Sequence, residues 1–152
     1  MKLKVKDLMQ TNIKSLKPDM GALDALKYLM KLEISGLPVI DEKGCLCGMF
    51  TEKDILKAIL PSYLKDVGSF VYSEDPKAEI RKMANIGTYK VKDLMRTDVV
   101  TVDQDTALAE VSKIMLLKAA RRIVVVDANK KAVGIIARCD IVKAFAREAG
   151  LL

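Results

Sequence analysis

Apolar residues at Leu23, Leu26, Leu29 and Met30 recur at the spacing of a helix turn, which predicts a helix over residues 22–32. A short apolar run before it, residues 13–16, reads as a strand. Two further strands follow, residues 37–40 and 46–51, joined by the turn sequence Asp41-Glu42-Lys43-Gly44. A helix from Glu52 to about Leu60 closes the series. The same order returns later in the chain. Strands are expected over 99–102, 123–126 and 132–137, with helices over 107–119 and from Arg138 to about Glu148.

The recurrence is also literal. Val5-Lys6-Asp7-Leu8-Met9 reappears unchanged as Val91-Lys92-Asp93-Leu94-Met95, at an offset of 86 residues. Thr11 aligns with Thr97, Ile13 with Val99 and Ser15 with Thr101. Leu37-Pro38-Val39-Ile40-Asp41 matches Ile123-Val124-Val125-Val126-Asp127. Gly48 matches Gly134, and Asp54-Ile55 matches Asp140-Ile141. Between these blocks Leu29-Met30 reads against Ile114-Met115, one residue out of step. The expected fold is therefore α/β of the α+β type, two β-α-β-β-α repeats related by a pseudo-twofold and packed sheet to sheet. One unit of about 60 residues buries too little surface to be comfortably stable alone, and a second can cover its open sheet face. The expected divisions are a first repeat over 1–60, a partly helical connector over 61–90 and a second repeat over 91–152. Pro61, Gly68, Pro76 and Gly87 punctuate the connector, and a short helix is expected over 77–83. It also holds Tyr63, Phe70, Tyr72 and Tyr89, which suggests that it packs back on the body.

Composition narrows the chemistry. Hydrophobic residues make up 51% and charged residues 30%, a globular mix that argues against general disorder. No apolar run approaches the roughly 18 residues of a membrane span. The charged N-terminus has no apolar stretch behind it and does not read as a signal peptide, so a cytoplasmic location is the expectation. The chain has no histidine, which removes Ser-His and Cys-His nucleophile pairs. Three cysteines, Cys45, Cys47 and Cys139, are too few and too scattered for a disulfide framework, and a zinc site would want more ligands. Cys45 and Cys47 alternate along a strand and read as small packing residues. The net charge of +6 favours anionic partners without choosing among them. Nucleic-acid binding lacks a helix-turn-helix signal or a basic-aromatic strand motif. No constellation of carboxylates and lysines converges at a catalytic spacing, so no catalytic residue, metal site or required cofactor is assigned.

The pattern Gly48-x-x-Thr51-x-x-Asp54 lies where a strand gives way to a helix. Free N–H groups and the positive dipole end there suit a phosphate. Gly48, with no side chain, lets a ligand or a neighbouring backbone come close. Thr51 brings a hydroxyl, and Asp54 two acceptor oxygens that match the hydroxyls of a ribose. Thr-x-x-Asp at a helix start is equally close to a capping box, in which both side chains satisfy backbone N–H groups. The second copy reads Gly134-Ile135-Ile136-Ala137-Arg138-Cys139-Asp140, keeping the aspartate and losing the hydroxyl. Arg121 and Arg122 stand where the first copy has Ser35 and Gly36. They read either as surface arginines or as phosphate contacts.

Leu37-Pro38-Val39-Ile40-Asp41 followed by Gly48-Met49-Phe50-Thr51-Glu52-Lys53-Asp54-Ile55 resembles the cystathionine-β-synthase (CBS) repeat, and Val91-Lys92-Asp93-Leu94-Met95 resembles the segment that opens such repeats. The resemblance covers nearly the whole chain except residues 61–90. It implies a Bateman module, a tandem pair with ligand clefts between the copies. It also implies a regulatory role: binding AMP, ADP, ATP or S-adenosylmethionine and signalling to an effector protein or to the module's own oligomer, commonly a homodimer. Thr51, Asp54 and Asp140 are the implied ribose or phosphate contacts, with Gly48 and Met49 in the same motif. Ile13, Ser15, Val99 and Thr101 lie on the first strands, where the family lines its adenine and ribose pocket. Ser15 and Thr101 read equally as ordinary strand hydroxyls. Arg121 and Arg122 hold the position of the family's phosphate-reaching base. The alternative is a scaffold that pairs through the same surfaces and binds no nucleotide.

Overall fold

The computed structural model describes residues 3–60 and 77–152. Its elements run α1 (Ala22–Leu32), β1 (Gly36–Ile40), β2 (Leu46–Thr51), α2 (Glu52–Ile59), α3 (Lys77–Ala84), α4 (Val91–Leu94), β3 (Thr101–Asp103), α5 (Leu108–Leu117), β4 (Arg122–Val126), β5 (Ala132–Ala137) and α6 (Arg138–Glu148). The fold is mixed α/β with two sheets. One pairs β1 with β2, and the other has the order β3-β4-β5. β3 runs parallel to β4 with Val102 opposite Val125, and β4 runs antiparallel to β5. In the first copy the opening strand shrinks to a single parallel bridge, Leu16 to Val39, held by Leu16 N–H to Pro38 and Ile40 N–H to Leu16, both 2.9 Å.

The offset of 86 holds at each backbone special that marks the repeat. α1 ends on Glu33 at φ 56 and α5 is followed by Ala119 at φ 51. The hairpin turns reach positive φ at Gly44 (84°) and at Lys130 (62°). Buried Leu29 thus pairs with buried Met115, and the one-residue slip read at Leu29-Met30 is absent. Glycine tolerates the left-handed turn without strain, and the second copy places a lysine there instead.

By contact the chain forms two units, neither of them a continuous stretch. One holds Ser15–Asp41 and Cys47–Asp98, the other Met1–Lys14, Glu42–Leu46 and Val99–Leu152. In the first-copy unit, Leu29, Val39, Phe50 and Ile55 build a core that also takes Ile86 and Val91 from the start of the second repeat and its approach. In the second-copy unit, Val111, Ile123, Ile136 and Ile141 build a core that takes Val5. Each opening arm, the Val-Lys-Asp-Leu-Met segment, therefore lies in the core of the other copy. Val5 and Val91 are both fully buried.

The backbone bonds repeat in the same exchanged sense. Val91 N–H donates to Met20 (2.8 Å) and Lys92 N–H to Pro18 (3.0 Å). Val5 N–H donates to Thr106 and Lys6 N–H to Gln104, both 2.9 Å. Ion pairs accompany them, Lys92 Nζ to Asp19 at 2.8 Å and Lys6 Nζ to Asp105 at 3.0 Å. Each lysine holds its partner's carboxyl below the usual value, first by hydrogen bonding and then by charge.

Tyr63, Phe70 and Tyr72 lie outside the described residues. Tyr89 is exposed, and its carbonyl accepts the Ala22 N–H at 2.9 Å. The expected helix over 77–83 is α3. Among the described residues Cys45, Cys47 and Cys139 form no disulfide. Cys47 packs on the first-copy core, whereas Cys45 Sγ lies 3.9 Å from the Asn129 carbonyl in the second-copy unit. No helix of the described residues is long and apolar enough to cross a membrane.

Candidate functional site

β2 leads straight into α2, and Thr51 is the residue between them. Asp54, three residues on, is 3% exposed. Its Oδ2 accepts the Thr51 backbone N–H at 2.8 Å and the Thr51 hydroxyl at 3.1 Å. The carboxylate arm of a capping box is thus in place, closing the helix start on itself. No hydrogen bond from a described residue reaches Oδ1, which keeps acceptor capacity for a ligand hydroxyl. The Glu52 N–H donates to the Ser35 carbonyl at 2.8 Å, so the chain entering β1 lies against the first turn of α2.

Gly48 answers to a neighbouring backbone. A Cβ there would run into the Arg96 carbonyl oxygen and come within 3.0 Å of Met95 Sδ. Met49 and Arg96 exchange N–H···O bonds of 2.9 Å in both directions, and half-buried Met49 is held by that bridge. Ser15 is half-buried just before the Leu16 bridge. Ile13, also half-buried, belongs to the other unit with its arm.

The second copy repeats the frame with different chemistry. Ala137 precedes α6, and the Arg138 N–H donates to the Arg121 carbonyl at 2.8 Å. Arg122 pairs in register with Ala137. Arg121, Arg122 and Arg138 are all exposed, and their backbones meet at the first turn of α6. Val99 is half-buried, and Thr101 is exposed at the start of β3.

Asp140 is the counterpart of Asp54, but Ala137 supplies no hydroxyl to it. Its Oδ2 is buried with no hydrogen-bond partner among the described residues. The Cys139 thiol, 3.9 Å from Oδ1, is its one weak donor. A buried carboxylate oxygen without a donor is costly and calls for an explanation, a bound donor being the most direct.

Sequence reasoning overlooked Arg138 and Glu52. They occupy the first position of α6 and α2 with opposite charge, and the offset of 86 was enough to pair them. Among the described residues no group of three His, Cys, Asp or Glu side chains could hold a metal ion.

Comparison with known proteins gives one consistent result. The CBS domain family matches residues 5–61 and 91–147. An uncharacterized Methanocaldococcus jannaschii protein, MJ1426, is 30% identical over 153 residues, covering 93% of this chain and 90% of that one. The chloroplastic CBS domain-containing protein CBSX2 of Arabidopsis thaliana is 30% identical over 139 residues. That match covers 88% of this chain, which spans 58% of the CBSX2 length. The crystal structure of CBSX2 in complex with AMP superposes with a TM-score of 0.72 at 29% identity, covering 96% of this chain and 98% of that one. The CBS domain pair of protein MJ0100, in complex with 5-methylthioadenosine and S-adenosyl-L-methionine, superposes at 0.68 with 25% identity, covering 97% and 99%. With two matched segments on the expected frame, the chain belongs to the CBS domain family as a tandem CBS pair.

Proposed function

We propose that this CBS pair is a non-catalytic regulatory module that binds an adenosine-containing ligand and passes its occupancy to an effector protein or to its own oligomer. The observation that carries the reading is the buried, unpartnered Oδ2 of Asp140 at the opening of α6. A ribose hydroxyl is a neutral donor that could satisfy it, and the positive end of the helix beside it suits a phosphate. Asp54 supplies the matching carboxylate in the first copy. Similarity to the AMP-bound CBSX2 and to the MJ0100 pair supports adenosine as the common element of the ligand.

Pairing with a second copy is part of the same reading. Met30 and Leu56 are 67% and 53% exposed on α1 and α2, and their counterparts Leu116 and Val142 are 77% and 63% exposed on α5 and α6. Apolar side chains repeated in this way on helix surfaces favour a partner that is itself repeated.

A thermal-shift panel of AMP, ADP, ATP, S-adenosylmethionine and GTP tests the ligand. A ligand at 100 times its dissociation constant stabilises the folded chain by about 2.7 kcal/mol. At least one adenosine compound is expected to do so, and GTP is not. Absence of any shift from the four adenosine compounds would leave the non-binding scaffold as the better reading.

A further inference from the structure

The two copies present opposite charge at the same place. Arg138 and Glu52 are the first residues of α6 and α2. Arg121 and Arg122 stand where the first copy has Ser35 and Gly36. The backbone brings these positions together in each unit, through Arg138 N–H to Arg121 in one and Glu52 N–H to Ser35 in the other, both 2.8 Å. At the opening of α6 three arginines therefore share one stretch of backbone with a single carboxylate, Asp140. At the opening of α2 one lysine, Lys53, stands with two carboxylates, Glu52 and Asp54.

The three arginines are exposed, and no described carboxylate forms an ion pair with them. The lysines of the arms, by contrast, are engaged, Lys6 with Asp105 and Lys92 with Asp19. A planar guanidinium presents a fork of donors that fits phosphate oxygens, and charge-assisted bonds are roughly twice as strong as neutral ones. The helix dipole adds its positive end at the same turn. The orphaned Asp140 Oδ2 marks that turn as a place where a donor is missing. At α2 the same turn carries the Glu52 carboxylate, and Asp54 Oδ2, the counterpart of the orphaned oxygen, is already taken by Thr51.

We infer that the copies divide ligands by charge: the second-copy site selects nucleotides through their phosphate chain, and the first-copy site takes adenosine compounds that carry none. The inference rests on the adenosine reading above and adds to it a different ligand class for each copy.

Calorimetric titration of the full chain with adenosine, AMP, ADP and ATP tests it. The Asp54→Ala chain reports the second-copy site, and its affinity should rise about tenfold or more from adenosine to ATP, the worth of one charge-assisted contact. Adding Arg138→Glu should abolish the rise. The Asp140→Ala chain reports the first-copy site and should show no rise, while adding Glu52→Arg should create one. That gain cannot come from a misfolded chain. Because Asp54 also caps α2, Arg138→Glu is tested in the otherwise unchanged protein as well. One of two sites should lose about tenfold for ATP and keep its affinity for adenosine. The same affinity order in both aspartate variants, or a rise that survives Arg138→Glu, overturns the division while leaving the adenosine reading intact. A wild-type chain that binds none of the four overturns the division, and one that also fails to bind S-adenosylmethionine removes the adenosine reading.

Discussion

Replacing Gly48 with alanine drives a methyl group into the carbonyl oxygen of Arg96. That oxygen is fixed, since it accepts the Met49 N–H at 2.9 Å while Arg96 N–H returns a 2.9 Å bond to Met49. Room for the methyl requires the second arm to move away from β2. Overpacking of this kind costs about 1–3 kcal/mol, and losing one of the two bonds adds about 0.5–1.5 kcal/mol. The expected total is about 2–4 kcal/mol. Gly134→Ala is the internal control, because the three atoms nearest its methyl all belong to the Met9 side chain, Sδ at 2.5 Å, Cγ at 2.8 Å and Cβ at 3.1 Å. Methionine is unbranched with three rotatable bonds and can turn aside, so about 1–2 kcal/mol is expected there. Urea and thermal unfolding followed by circular dichroism measure both. At about 2–4 °C per kcal/mol for a chain of this size, the mid-range difference of about 1.5 kcal/mol should make Gly48→Ala melt roughly 3–6 °C below Gly134→Ala. Equal midpoints, or a lower one for Gly134→Ala, would refute the distinction between a fixed backbone neighbour and a yielding side chain.

Residues 1–60 expressed alone should fail to reach a native state, because Ile86 and Val91, 2% and 0% exposed, leave their core and Met49 loses Arg96. A well-dispersed amide NMR spectrum of that fragment would contradict the exchanged arms. The ion pairs give a pH signature. Hydrogen bonding and charge from Lys92 and Lys6 hold the Asp19 and Asp105 carboxyls below 3.8, so the folded pKa lies under the unfolded one. Their contribution is present above 3.8 and is lost as pH falls through the lowered folded values. The lysines are raised above 10.5, and their side of the pair is lost only as pH climbs through those higher values. In a urea-midpoint series the wild type should therefore fall more steeply below about pH 3.8 than an Asp19→Asn, Asp105→Asn double variant, and salt should shrink the difference. Superimposable acid limbs would take the pairs out of the stability account.

Periodicity placed α1 over Ala22–Leu32, β5 over Ala132–Ala137 and α6 over Arg138–Glu148, since each is defined by nearby apolar residues and by the residue types at its ends. α5 came out shorter than the expected 107–119, because Ala107 is already its extended cap and Lys118 closes it. The opening strand over 13–16 was overdrawn. Its existence depends on parallel pairing with a distant segment, and only Leu16 finds that partner.

The arms were illegible for a plainer reason. Val-Lys-Asp-Leu-Met is identical in both copies, so nothing local says which core receives which arm. At Thr51 and Asp54 the residue types allowed a cap or a ligand contact, and the geometry adds the cap bonds without using Asp54 Oδ1. The unpartnered oxygen of Asp140 could not be foreseen, because it requires knowing where every nearby donor points.

The exchanged arms bear on how such a chain could arise. A polypeptide with one copy would carry an arm with no core to enter and a core with no arm to fill it. Two of them would settle both needs by trading arms, the arrangement of a domain-swapped dimer. Joining the pair end to end through a linker asks for no new surface, since Val5 and Val91 already sit in the cores they would have occupied as strangers. Gene duplication followed by fusion is then a short step from the swapped arrangement. A chain cut between Leu60 and Lys77 is expected to leave two halves that stay together, each holding the other's arm.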